Sequence, residues 1–186
     1  MKKLFLMLGV TAMLVTGGTA RGNEIVEKVV MYLPNRVMDT LDTFTVNLGV
    51  GPTVRAELML TRAAEVGGGW TGWCGKIFKD YNRQYGLGMQ DGWYWSLAAI
   101  GEEDMRRDRT LGWVKSYWIA RAGFPDPEDP RYNFQDGARD YWQIGGALGA
   151  FVEGEVYIHP LEGIDWVLGF FFIDIKGDDL TFDDIR

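Results

Sequence analysis

The sequence predicts a mainly β protein, an antiparallel meander of about eight strands closed as a barrel or barrel-like, with a helix at each end. Three observations lead to this fold class. Apolar and polar side chains alternate with a period of two from about residue 43 to about residue 158. Turn-forming glycine, proline and Asp-Gly pairs interrupt the alternation at short intervals. Both flanks change to the three- and four-residue spacing of helices.

Residues 1–20 are predicted to be an export signal that precedes one β-rich domain, residues 21–186. Lys2 and Lys3 form a basic start, Leu4 to Val15 are apolar, and small residues lead to a cleavage point after Ala20. The apolar stretch is shorter than the roughly 20 residues that a membrane-spanning helix needs. The alternative is an N-terminal anchor that is never cut. The cleaved export signal is favoured.

The first helix is predicted at about residues 24–42. Its apolar residues recur at helical spacing, and Asn23 is a suitable N-cap. Pro34 is expected to break or kink it. Such an amphipathic helix could lie on a membrane surface or cover one end of the sheet. The pattern favours the cover.

The predicted strands occupy about residues 43–158, and turn signals set their number. Gly51-Pro52 is expected to end the first strand, and Asp91-Gly92 is a strong hairpin signal. The run "GEEDMRRDRT" at residues 101–110 is mostly charged, which predicts a solvated turn. Gly154 is expected to split the last alternating run into two strands. A long loop is predicted around Pro125, Pro127 and Pro130.

The last helix is predicted at about residues 160–175, followed by an acidic tail, residues 176–186. Pro160 suits the first position of a helix, and Gly177 suits its stop. The run Trp166 to Ile173 has no polar side chain and is far too short to cross a bilayer. The helix could plug the barrel or sheet, or dip into a membrane interface. The plug is favoured.

The strand pattern fits a barrel in the outer membrane and also a barrel in water. Eight Trp and eight Tyr could form the aromatic girdles of an outer-membrane barrel. Against this, Lys115 and Arg121 alternate with Trp113 and Tyr117, so this strand has no clean lipid-facing side. The formal net charge is −7, and no basic cluster occurs, which argues against nucleic acid as a partner. The sequence favours a barrel in or at the outer membrane.

No catalytic set is evident from the residues. Cys74 is the single cysteine, and no glycine-rich phosphate loop or nucleophile elbow occurs. His159, the single histidine, precedes Glu162 and Asp165, so it could form a His–carboxylate pair. The alternative is a histidine that caps a backbone group at a strand–helix junction. The sequence therefore favours a protein that is not an enzyme.

Two sets of residues are candidates for ligand binding. Tryptophans in an exported protein can stack on sugars, although at period two they also fill cores or girdles. The acids of the C-terminal run could form a weak calcium site, or a solvated tail. No other cofactor is predicted. The candidate ligand-binding residues are Trp93, Trp95, Trp113 and Trp118, and the candidate metal ligands are Asp174, Asp178 and Asp179.

Two motifs resemble a known group. "LPNRVMDTLDTFTVNLGVGP" at residues 33–52 and "HPLEGIDWVLGFFFIDIKGDD" at residues 159–179 are similar to the two ends of small exported envelope proteins of Gram-negative bacteria, which are uncharacterised. The resemblance implies a place in the periplasm or outer membrane and an envelope component as partner. It implies no activity and no site residues.

The expected function is that of a non-enzymatic cell-envelope protein, structural or binding a lipid or other apolar ligand at the outer membrane. The alternative is an exported carbohydrate-binding or carbohydrate-hydrolysing protein that uses Trp stacking and carboxylates.

Overall fold

The computed structural model describes residues 20–171, 173–177 and 181, with side chains described from residue 29 onward. The predicted export signal and the candidate metal ligands Asp178 and Asp179 lie outside the described residues. In chain order the elements are α1 (Ala20–Asp42), β1 (Phe44–Thr61), β2 (Ala64–Asp80), β3 (Gln84–Ala98), β4 (Ile100–Gly112), β5 (Tyr117–Gly123), a 3-10 turn (Pro130–Tyr132), β6 (Ile144–Ile158) and α2 (Pro160–Gly169).

The strands form one antiparallel sheet in the order β5-β4-β3-β2-β1-β6. The prediction of a mainly β, antiparallel chain with a helix at each end is confirmed. The predicted number of about eight strands is wrong, because the described sheet has six, and it is not closed by hydrogen bonds between β5 and β6. Several strands are longer than predicted: β1 has 18 residues, and β3 and β6 have 15 each, whereas β5 has only 7.

Four predicted turns lie inside strands. Gly51-Pro52 does not end the first strand, because β1 continues through it with a register shift between Val50 and Thr53. Gly92 lies inside β3 and pairs with Met105 of β4. Its φ is 122°, and the two backbones come so close there that a Cβ would not fit. The charged run 101–110 forms most of β4, and β6 continues through Gly154. These turn predictions are wrong because the glycines lie inside paired strands and the charged run is itself a strand.

The sheet buries its polar face and exposes its apolar face. Along β1, Thr45, Asn47 and Thr53 are almost completely buried. Their neighbours Val46 and Val54 point the other way and are exposed. A sheet in water has the opposite arrangement. The alternation with a period of two was predicted correctly, but the buried side chains are the polar ones.

The sheet curls strongly, so that its buried face becomes an interior. Arg55 of β1, Arg107 of β4 and Glu155 of β6 line the same internal cavity, which has a volume of about 30 Å³. The segment at residues 124–143 crosses from β5 to β6 and enters this interior. Its tyrosines pack against side chains of β3, β4 and β5 in a small apolar cluster. That cluster consists of Tyr94, Met105, Ile119, Tyr132 and Tyr141.

The two helices pack at one end of the sheet. α1 continues through Pro34, and Nη1 of Arg36 donates to the carbonyl of Trp166 in α2 at 3.2 Å. A Cβ at Gly169 would meet the Arg36 guanidinium, so a larger residue here requires that side chain to move. Among the described residues, neither helix is long and apolar enough to cross a membrane.

α2 is also inverted in polarity. It buries Glu162 and Asp165 and exposes Ile164, Val167 and Phe170. The predicted helix to about residue 175 is too long, because α2 ends at Gly169 and the chain folds back. The N–H of Ile175 then donates to Oδ1 of Asp165 at 2.9 Å. The helix therefore covers the end of the interior with its polar side.

Candidate functional site

The most densely charged part of the interior is centred on Arg55. Its guanidinium donates to Glu57 at 2.7 Å, to Glu153 at 3.0 Å and to Glu155, and its Nε donates to the Tyr94 hydroxyl at 3.1 Å. Lys76 Nζ donates to Glu153 at 2.6 Å and to Glu155 at 2.7 Å. Two cations thus hold three buried carboxylates. We call these five charged residues the Arg55 cluster.

A second group of ion pairs ties the segment before β6 to the sheet. Glu103 of β4 accepts from Arg121 Nε at 3.2 Å and from Nη1 of Arg139. The N–H of Arg62 donates to the carbonyl of Tyr141 at 2.9 Å. The segment 124–143 is therefore held inside by charge pairs and backbone hydrogen bonds together.

The third group contains the single histidine. His159 Nε2 lies 2.8 Å from Thr45 Oγ1, and His159 Nδ1 lies 2.7 Å from Oδ2 of Asp140. Thr45 Oγ1 also donates to Oδ1 of Asp80 at 2.7 Å. His159 is the N-cap residue of α2 but makes no side-chain cap bond. Its carboxylate partner is Asp140, whereas the sequence pointed to Glu162 or Asp165.

A hydroxyl, an imidazole and a carboxylate in contact can serve nucleophilic catalysis. Here Thr45 is 1% exposed and His159 is 0% exposed. The cavity that Thr45 lines has room for a water molecule and is too small for a substrate. The geometry therefore supports a structural link between β1, β2 and the start of α2.

We expect Thr45→Val to lower the free energy of unfolding by about 1–3 kcal/mol, because it leaves buried groups of Asp80 and His159 without their hydroxyl partner. Denaturant titration followed by tryptophan fluorescence measures this loss. The matched control is Thr110→Val, which makes the same change at an exposed position of β4. Equal stability of the two variants would contradict the structural role.

Cys74 is a buried residue, and burial raises the pKa of its thiol. Its side chain is 0% exposed, and Sγ points at the Cα of Gly49, where no Cβ would fit. Its only described hydrogen-bond contact is a long one to the carbonyl of Gly75. The geometry offers no reason to treat this thiol as a nucleophile.

The four predicted ligand-binding tryptophans are all exposed, but they do not form one group. Trp93 and Trp95 lie on the outward face of β3, and Trp118 lies on the outward face of β5. The indole N–H of Trp95 donates to Glu102 at 3.3 Å, and that of Trp118 donates to Asp104 at 2.8 Å. These tryptophans therefore flank β4 on its two sides. Trp113 is separate from them, in the connection from β4 to β5.

The outward face of β4 differs from the outward faces of the other long strands. It carries a charged stripe of four residues. Across β6, β1, β2 and β3, the described outward positions hold charged side chains only at Lys79 and Asp91, both partly buried. The change from apolar to charged therefore occurs between β3 and β4. The charged stripe consists of Glu102, Asp104, Arg106 and Asp108.

The candidate metal ligand Asp174 binds the backbone. Its Oδ1 accepts from the N–H groups of Lys176 at 3.0 Å and of Gly177 at 2.6 Å, which closes a local turn. Within the described part of the chain, no group of three or more His, Cys, Asp or Glu is placed to hold a metal ion.

One large cleft, with a volume of about 1130 Å³, lies between α1, the β2–β3 turn, the β4–β5 connection and residues 130–138. Trp113 lines it together with Arg83, Arg109, Lys115 and Arg131. Sequence reasoning found only Trp113, because the basic residues are scattered over almost fifty positions. We call this cavity the basic cleft.

Comparisons with protein-family models, with curated proteins and with solved structures gave no match for this chain.

Proposed function

We propose that the protein is a non-enzymatic component of the Gram-negative cell envelope whose sheet lies in the outer membrane with its apolar face against lipid acyl chains. The observation that carries this proposal is the inverted polarity of the sheet. The buried face holds paired charges, and the outward face is apolar over four neighbouring strands. This is the arrangement expected of strands that have lipid on one side and a polar interior on the other.

The size of the outward apolar surface supports a lipid environment. Monomeric proteins in water rarely expose contiguous apolar patches larger than a few hundred Å². Strands of 15 to 18 residues are also longer than the roughly 9–11 that a membrane-spanning strand needs. The exposed apolar residues of the four strands include Val46, Leu48, Val50, Val54, Leu58, Leu60, Val66, Trp70, Trp73, Ile77, Leu87, Met89, Trp93, Trp95, Leu97, Leu148, Val152, Val156 and Ile158.

The interior supports the same proposal. Charged groups inside a membrane protein face its interior and pair with one another, as the members of the Arg55 cluster do. We further propose a barrel-like shape in which residues 124–143 span the opening between β5 and β6. Unpaired strand edges are not tolerated in lipid, and this segment is already bound to Arg62 and Glu103. The charged stripe of β4 then marks the side that faces water or an envelope partner.

Fractionation of a Gram-negative host that expresses the full chain tests the proposal. We expect the protein in the membrane pellet after a carbonate wash, and we expect its release to require detergent. Recovery in the soluble periplasmic fraction without detergent would overturn the membrane location.

A second candidate function is carbohydrate binding on the outward face near β4. It is favoured by the hydrogen bonds that hold the Trp95 and Trp118 rings beside Glu102 and Asp104, since an indole face next to a carboxylate suits a sugar ring. A glycan-binding screen tests it. A hit that is lost in Trp95→Ala and kept in Trp73→Ala would support this function.

A further inference from the structure

The basic cleft has an unusual charge for this protein. The chain has a formal net charge of −7, yet four basic side chains line the cleft together with one acidic side chain, that of Asp136. The β2–β3 turn and residues 133–138 form a wall, because Asn82 Nδ2 donates to the carbonyl of Gly137 at 2.9 Å. The cleft is therefore a built cavity that concentrates positive charge.

Among the described residues, two of the four cations form no salt bridge with a carboxylate. Arg131 binds Asp129, and Arg83 Nε lies 3.9 Å from Oδ2 of Asp42. Lys115 Nζ instead donates to a backbone carbonyl, that of Asp136, at 2.6 Å. In the part of the chain that the structure describes, neither Lys115 nor Arg109 forms a salt bridge. Two positive charges thus remain available to an anion.

The surroundings of Lys115 favour an anionic ligand. Partial burial lowers the pKa of the Lys115 ammonium, and the charge of Lys176 adds to this effect, whereas Asp136 opposes it. Water stabilises the charged ammonium of an exposed lysine. At partly buried Lys115 a bound anion would provide that stabilisation instead. Arginine adds a planar fork that matches the oxygens of a phosphate.

The cleft also has an apolar part that continues to the outward face of the sheet. Met38, Trp113 and Val114 line it, and Trp113 is 74% exposed. Leu111, two residues before Trp113, is exposed and pairs with Leu87 on the outward face of β3. A molecule with its anionic group at Lys115 could therefore extend its apolar chain along Trp113 toward the surface that we place in lipid.

We propose that the basic cleft binds the phosphate group of an anionic amphiphile, with Lys115 and Arg109 at the phosphate and Trp113 against the apolar chain. This inference rests on the proposed function, because the amphiphile comes from the membrane that surrounds the sheet. The ligands of the protein are then phosphate-bearing lipids. A free phosphate ion offers the same charge but lacks the apolar chain, so the two can be told apart.

Calorimetric titration of the purified full-length protein in maltoside micelles tests the proposal. The probes are dodecyl phosphate, inorganic phosphate and dodecylphosphocholine, whose headgroup carries a compensating cation. We expect saturable binding of dodecyl phosphate at one site per chain, and binding of the other two at least about tenfold weaker. Lys115→Gln and Arg109→Gln should each weaken dodecyl phosphate binding about tenfold, the effect of losing one charged hydrogen bond.

Two further variants make the test specific. Arg106→Gln is the matched control, because Arg106 lies in the charged stripe, is paired with Asp108 at 2.6 Å and does not line the basic cleft. It should bind dodecyl phosphate like the unchanged protein. Trp113→Ala should weaken dodecyl phosphate but leave inorganic phosphate unchanged. A loss in Arg106→Gln equal to that in Lys115→Gln, or equal binding of dodecyl phosphate and inorganic phosphate, would overturn the proposal.

The binding measurement is independent of membrane location. A soluble periplasmic protein that shows the expected variant pattern would refute the proposed function and keep the ligand class. If the protein is integral to the membrane but binds no dodecyl phosphate, the proposed ligand of the basic cleft is refuted and the proposed function is kept.

Discussion

Arg55→Met is expected to lower the free energy of unfolding by about 3–5 kcal/mol, because it breaks a buried group of ion pairs. Arg55 contacts Glu57, Glu153 and Glu155, and all three carboxylates are almost completely buried. Methionine has a similar volume but no charge. Lys76 still pairs with Glu153 and Glu155, but among the described salt bridges none joins it to Glu57. Glu57 is left as a buried charge without its partner.

Denaturant titration in detergent micelles measures this loss, and an exposed arginine provides the control. Arg106 pairs with Asp108 at 2.6 Å on the outward face, where both side chains are about half exposed. An exposed pair contributes about 0–1 kcal/mol, so Arg106→Met should have a small effect. Similar losses in the two variants would contradict the role of the Arg55 cluster.

A double variant separates lost charge pairing from lost packing. Glu57→Gln alone should destabilise the protein, because it removes the charge that faces Arg55 and replaces one of two acceptor oxygens by an amide donor. The two oxygens accept from Arg55 and from the Tyr157 hydroxyl, each at 2.7 Å. In the Arg55→Met background the same change should restore part of the stability, because it removes an unpaired buried charge. If Glu57→Gln destabilises both backgrounds equally, the effect of Arg55→Met comes from packing.

The alternation of the strands was visible in the sequence, but its direction was not. Val54 and Arg55 alternate in the same way whether apolar side chains face a core or face lipid. The parity of the charges is the signal that could have decided this. Arg55 and Glu57 share one parity in β1, and Glu153 and Glu155 share one in β6, and both pairs lie on the buried face.

β4 could not be predicted because both of its faces are charged. Glu103 and Arg107 point into the interior and form ion pairs there, while Glu102 and Asp104 point outward. A run with charge at both parities resembles a solvated turn. Only the ion pairs that Glu103 and Arg107 make with other elements show that half of these charges are buried.

The sites depend on contacts between distant parts of the chain. Thr45 contacts His159 across 114 positions, and Arg55 contacts Glu153 across 98. Spacing along the sequence carries no signal for such contacts. Nearby acids therefore drew attention to Glu162 and Asp165 as partners of His159, whereas the fold brings Asp140 to it.

Val54→Arg is expected to remove the protein from the membrane while leaving its interior intact. Val54 lies near the middle of β1 on the outward face, is 59% exposed, and is flanked by Trp70 on β2 and Ala150 on β6. An arginine at the midplane of a lipid-facing strand costs about 2–4 kcal/mol, which is a large part of the stability of a domain. In water the same substitution at an exposed position should change stability by less than about 0.5 kcal/mol.

This difference makes Val54→Arg the sharpest test of where the sheet lies. The measurement is the fraction of protein that refolds from denaturant into lipid vesicles and floats with them on a density gradient. The control is Asp104→Arg in the charged stripe, an outward position that is already charged and that we place away from lipid. We expect Asp104→Arg to float like the unchanged protein and Val54→Arg to stay largely in the unbound fraction. If both variants float equally, the outward face of β1 does not face acyl chains, and its apolar residues must be covered in another way.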